Sequence, residues 1–130
     1  MGEREEVRNK TLDAFDFIQM SGFADEWERL RLEDEDLRHL EMAIMARPKG
    51  NPVIPGTGGL RKMRFSPPGM GKGKRGAFRV CYVYFEEVKV VILVIVYSKR
   101  EYDNLTPAGK KTIKQLISRQ RNEFSKRKKQ

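Results

Sequence analysis

Five cations of this sequence are spaced so that one folded sheet can gather them: Lys62 and Arg64, Arg79, and the neighbours Lys99 and Arg100. Alternate side chains of a strand share a face. Lys62 and Arg64 therefore go together with Leu60, while Arg61 goes with Met63 and Phe65. On the next strand Arg79 shares its face with Cys81, Val83 and Phe85. Converging, the five cations would surround a space fit for one anion. A lysine crowded by like charges loses affinity for its proton and can then serve as base or acid. Arginines keep their charge and offer paired donors to a phosphate as it approaches its transition state. RNA suits such a group, because its own 2′-hydroxyl can attack the neighbouring phosphate. The same residues also describe a solvated basic sheet face without chemistry, and composition alone favours that reading.

Other nuclease chemistries find no residues here. His39 is the only histidine and falls in an acidic helix, so a histidine pair is excluded. No carboxylate occurs between Arg47 and Phe85, and Glu86 and Glu87 are adjacent in a turn, so neither a metal nor another cofactor is expected. The string Gly71-Lys-Gly-Lys-Arg-Gly76 formally matches a dinucleotide fingerprint. That fingerprint needs a strand before it and a helix after it; here a strand follows, and the match is accidental. Lys72, Lys74 and Arg75, with Arg61, read instead as contacts to an RNA backbone. Tyr102, beside Lys99 and Arg100 in a polar turn, is the aromatic placed for base stacking. Phe78, Tyr82, Tyr84 and Tyr97 lie on strands and read as core.

Charge is distributed unevenly. Residues 1–46 hold 13 acids and 6 bases, residues 47–85 hold 9 bases and no acid, and residues 86–130 hold 12 bases and 5 acids. A long stretch without a carboxylate builds a field that attracts polyanions, with nucleic acid the first partner class and an anionic membrane surface the second. One cysteine, Cys81, excludes an intrachain disulfide and suits a reducing cytoplasm. The opening residues lack the apolar core of a signal peptide, and the longest apolar run, 90–97, is too short to span a bilayer as a helix.

The elements that must position these residues follow from periodicity and punctuation. Residues 13–20 alternate loosely and predict a short edge strand. Ser21 is placed to cap a helix over 21–30, with Trp27 and Leu30 inward. A second helix over 34–46 repeats Leu37, Leu40 and Ile44 and carries acids in its first turn, where the helix dipole favours them. Strands are predicted over 60–65, 77–85 and 88–97, the last central because its β-branched run suits burial on both faces. Thr106 and Pro107 then open a helix over 106–122 that buries Ile113, Leu116 and Ile117. Together these make one α+β domain over 1–130, an antiparallel sheet with two N-terminal helices and a C-terminal one, with mobile tails at about 1–11 and 122–130.

The segment Pro52-Val-Ile-Pro-Gly-Thr-Gly-Gly-Leu-Arg-Lys-Met-Arg-Phe65, then a basic glycine-rich loop, Arg79-Val-Cys-Tyr-Val-Tyr and Val-Tyr-Ser-Lys99, resembles HigB-type members of the RelE toxin superfamily over roughly residues 12–120. The resemblance implies a microbial-ribonuclease-like fold. It also implies a toxin that cleaves messenger RNA in the ribosomal A site and is silenced by a cognate antitoxin, a helix-turn-helix protein. Its catalytic cations would be Lys62, Arg64, Arg79, Lys99 and Arg100. RelE places a tyrosine where this chain has about Thr106, which leaves the general base open, with Lys62 or Lys99 preferred over Tyr102. Two other readings remain: a non-catalytic binder of RNA or the ribosome on the same fold, and a DNA-binding or membrane-surface module. The last lacks a helix with base-reading side chains.

Overall fold

The computed structural model describes residues 15–68, 78–98 and 105–129. In chain order these form β1 (Asp16–Gln19), α1 (Ser21–Arg29), α2 (Asp34–Ala46), β2 (Arg61–Phe65), β3 (Phe78–Phe85), β4 (Val90–Ser98) and α3 (Pro107–Lys129). The strands make one sheet in the order β1-β4-β3-β2. The fold is α+β, with β4 central as its composition predicts. β2, β3 and β4 pair antiparallel, but β1 runs parallel to β4. The sheet is therefore mixed rather than wholly antiparallel. Alternation sorts a strand's side chains between faces and says nothing of its direction, so the expected antiparallel sheet holds for β2, β3 and β4 and not for β1.

Two apolar layers cover the sheet. On one face Phe23 and Trp27 of α1 and Leu40 and Ile44 of α2 pack with Phe65, Val80, Tyr82 and Leu93. Trp27 stacks on Phe65, and its indole N–H donates to the Glu33 carbonyl at 3.2 Å. Leu30 and Leu37 pack at the margin of this layer. Ser21 does not cap α1: it is the first helical residue, and Met20 holds the cap position without a side-chain bond. α2 is closed by a capping box in which the Glu33 N–H donates to Asp36 Oδ2 at 2.8 Å.

On the opposite face α3 covers Val83, Phe85 and Val90 with Ile117 and Phe124. Thr106 is its N-cap, Oγ1 accepting from the Gly109 N–H at 3.0 Å, with Pro107 the first helical residue. Ile113 is half-buried, whereas Leu116 stays 36% exposed on a shallow apolar groove with Ile18 and Met20, contrary to the burial expected of it. The helix also continues well past 122. Its end is held by Phe124, whose ring meets Phe85 edge-on at 5.0 Å between centroids, with the Arg121 guanidinium 5.2 Å from the same ring. Among the described residues no helix is long and apolar enough to cross a membrane.

β4 begins at Val90, later than its hydrophobicity suggests, because residues 86–89 form the turn. Lys89 takes a left-handed φ of 54°, and the Val88 and Lys89 N–H groups donate to the carbonyls of Phe85 and Glu86, both at 3.3 Å. Within the β3–β4 ladder Cys81 pairs with Ile95 but Tyr82 with Leu93, so Val94 is an extra residue, a β-bulge.

If Phe124 anchors the end of α3, Phe124→Ala should destabilise the fold by about 3 kcal/mol in urea denaturation. An unchanged midpoint and slope would mean that this end of the helix is not docked.

Candidate active site

The glycine-rich string before β2 is a structural hinge. Gly56, Gly58 and Gly59 take φ of 85°, 79° and 141°, where a side chain would be strained. A Cβ on Gly58 would sit 3.2 Å from Lys114 Cγ, so the loop lies close against α3. Thr57 is fully buried inside it: Oγ1 donates to the Ile54 carbonyl at 2.7 Å and accepts from the Leu60 N–H at 3.0 Å. The Leu60 N–H, which the turn would otherwise strand, is thereby satisfied, and the Ile54 carbonyl gains a second donor beside the Thr57 N–H.

β2 leaves this hinge with its cations already sorted. Arg61 lies on the α1/α2 side, and Nη1 donates to the carbonyls of Asn51 at 2.6 Å and Lys49 at 3.3 Å. Tyr82 holds the same segment, its hydroxyl donating to the Pro48 carbonyl at 2.9 Å and accepting from Asn51 Nδ2 at 3.1 Å. Burial raises the Tyr82 pKa against the lowering pulls of the Asn51 bond and the Arg61 charge, so the phenol keeps its proton. Arg61, expected to touch RNA, thus has its guanidinium on loop carbonyls and away from the other cations.

Those other cations meet on the opposite face. Arg64 stands directly across from Arg79, and Lys62 directly across from Cys81. Directly opposed residues of an antiparallel pair bring their Cβ atoms to about 4.5–5.5 Å, where like charges repel. Arg64 is exposed and Arg79 half-buried, with Nη1 of Arg79 donating to the Phe78 carbonyl at 3.4 Å. Across β3 from Arg79 lies Tyr97 of β4. Two guanidinium groups and a lysine thus project from one face of adjacent strands, donors of a kind that suit a phosphate.

Beside this cationic surface opens a cleft of about 310 Å³. The loop at Pro52–Pro55 forms one wall, Ile95 and Tyr97 the floor, and Leu105 the far side, with Lys62 and Lys110 both lining it. Cys81 is at its base. Burial pushes that thiol up to about 12, with the Lys62 charge pulling the other way, so it is a neutral group and no nucleophile near neutral pH. Lys110, in the first turn of α3, escapes sequence reasoning because a lysine there looks like an ordinary solvated helix charge. Only the packing of α3 against the hinge brings it to the cleft.

Of the residues singled out from sequence, Lys62, Arg64 and Arg79 are brought together. Lys72, Lys74, Arg75, Lys99, Arg100 and Tyr102 lie outside the described residues. His39 is remote, its Nδ1 2.9 Å from the Glu35 carbonyl. Glu86 pairs with Lys49 at 3.0 Å. Among the described residues no group of three His, Cys, Asp or Glu side chains is placed to share a metal ion.

No family model matches the chain. Two solved structures of the E. coli toxin RelE are similar to it. One, a mutant in the free state, is 16% identical, with 67% of this chain and 85% of that chain covered and a TM-score of 0.46. The other, the isolated toxin, is also 16% identical, with 79% and 99% covered and a TM-score of 0.47. The likeness is one of fold and carries no residue's role with it.

The hinge generates a direct expectation. Thr57→Val keeps the shape of the side chain but strands the buried Leu60 N–H, and should cost about 2 kcal/mol of stability. Thr57→Ser, which keeps the hydroxyl, should cost less than Thr57→Val when both are measured by urea denaturation; the reverse order would remove the hydrogen bonds from the account.

Proposed function

We propose that the chain is the toxin of a type II toxin–antitoxin pair, a cytoplasmic endoribonuclease that cleaves messenger RNA in the ribosomal A site without a metal. The observation that carries this reading is the opposition of Arg64 and Arg79 with Lys62 beside them, on a sheet face fed by a stretch of sequence devoid of carboxylates. The resemblance of the 52–65 string and of the segments at Arg79 and Lys99 to HigB-type toxins supports the choice of substrate. The antitoxin, a helix-turn-helix protein, enters on that resemblance.

In the proposed reaction the RNA 2′-hydroxyl attacks the adjacent phosphorus and gives its proton to a lysine acting as general base, Lys62 or Lys99. The bond to the 5′-oxygen breaks, and that oxygen takes a proton from another cationic group, leaving a 2′,3′-cyclic phosphate. Arg64, Arg79 and Arg100 hold the non-bridging oxygens as negative charge accumulates on them. Lys72, Lys74, Arg75 and Tyr102 hold the flanking RNA in this scheme.

Single-turnover cleavage on programmed ribosomes, measured beside ribosome binding, tests this. Arg79→Ala should slow cleavage by about 10²–10³ while weakening binding only about fivefold. Arg79→Lys should recover part of the rate, since a point charge does not replace a planar fork. Tight ribosome binding by wild type with messengers left intact would make the protein a non-catalytic binder. Cleavage should also survive chelation of free metal under conditions that preserve ribosome integrity; loss on chelation with restoration by magnesium, ribosomes intact throughout, would overturn the mechanism.

A further inference from the structure

The cleft beside the arginine pair differs in character from the surface it adjoins. It is walled by Pro52, Val53 and Pro55 on one side and by Leu105 on the other, over a floor of Ile95 and Tyr97, and among the described residues its charged groups are Lys62 and Lys110. A bare phosphate has no use for apolar walls, and a purely apolar ligand would not be met by two ammonium groups. A molecule with a flat apolar part joined to an anion uses both. The volume of about 310 Å³ is at the lower end of small-molecule sites, about 300–1,000 Å³, which admits one such unit and not a chain of them. The wall has few hydrogen-bonding groups to spare. The Ile54 N–H is bound to the Leu60 carbonyl, and the Pro52 and Ile54 carbonyls accept from Lys62 and Thr57. The ligand is therefore accepted by shape and stacking rather than by its polar edge.

We infer that this cleft is a slot for a single nucleotide of the RNA, its base against the wall of Pro52–Pro55 and Leu105 and its phosphate between Lys62 and Lys110. The inference rests on the ribonuclease reading and adds to it a residue, Lys110, and a place for the nucleotide next to the cleaved bond. Because Lys62 belongs both to the slot and to the cationic face, a nucleotide seated here sets its phosphate against the Arg64–Arg79 pair. The hinge has a part in this: Gly56 and Gly58 allow the loop to approach Lys110 and Lys114, which fixes the width of the slot.

Nucleoside 3′-monophosphates and inorganic phosphate, titrated separately into the full chain and followed by methyl and backbone NMR shifts, test the slot without any cleavage. The nucleotides should bind more tightly than phosphate, with shifts at Val53, Ile95 and Leu105. Lys110→Gln should weaken nucleotide binding about fivefold. Val53→Trp, which adds bulk at a position 41% exposed, should weaken it by about tenfold or more through occlusion and leave the thermal midpoint nearly unchanged. Binding no tighter than that of phosphate, or binding indifferent to both variants, overturns the inference. Messenger cleavage by wild type together with either of those results leaves the ribonuclease standing and removes the slot. Slot binding that depends on Lys110 and Val53, with every messenger left intact, keeps the nucleotide site and removes the ribonuclease.

Discussion

Along the side of β3 that faces α3, the residues are Arg79, Cys81, Val83 and Phe85. An apolar helix can cover the end of that series that is apolar and cannot cover the end that is charged, because a guanidinium taken from water without a partner costs several kcal/mol. The position of α3 follows. It seals Val83 and Phe85 with Ile117 and Phe124, and its first turn comes only as far as the level of Cys81 and Tyr97. Lys62 and Arg64 of β2 extend the charged end sideways through their pairing with Cys81 and Arg79. A single change of chemistry along one strand thus decides where the core stops and where the cationic face begins.

The other face supplies rigidity. Strand alternation gives Met63 and Phe65 to the α1/α2 layer, and with them Arg61, whose bonds to loop carbonyls join that layer to the segment before the hinge. Each second residue of β2 therefore joins the α1/α2 layer, and Lys62 and Arg64 between them lie on the opposite face. The bulge at Val94 matters in the same way. Val90 and Ile92 face α3; without the extra residue the alternation would have sent Val96 to that side and Tyr97 to the other. With it, Ile95 and Tyr97 face α3 and become the floor of the cleft. The bulge is what gives the cleft an aromatic at the strand end nearest Arg79.

Much of this was written in local pattern, and what was not has identifiable causes. The helices over 21–29 and 34–46 and the strands over 78–85 and 90–98 follow from periodicity and turn residues, and alternation alone separates Lys62 and Arg64 from Arg61. Four features depend on contacts that no local window contains. β1 could fill the free edge of β4 in either direction with Phe15 and Phe17 on the same face. Phe124 sits in a run of charge that reads as a fraying end, and its burial comes from tertiary packing, with the Phe85 ring of β3 edge-on to it. The partner carbonyls of Arg61 and the cleft position of Lys110 both arise where a loop closes on another element, so residue type and spacing could not distinguish them from ordinary surface cations.

The arrangement of acids gives the cationic face its strength. The carboxylates of α1 and α2 belong to helices packed on one side of the sheet, and Lys62, Arg64 and Arg79 project from the other. Between them lies a layer of close-packed apolar side chains, which holds little water and few mobile dipoles to screen with. Had the acids of residues 33–36 been carried instead on β2 or β3, they would have lain within ion-pairing reach of the arginines. Among the described residues, the acids of the two N-terminal helices and the three strand cations thus lie on opposite sides of that layer.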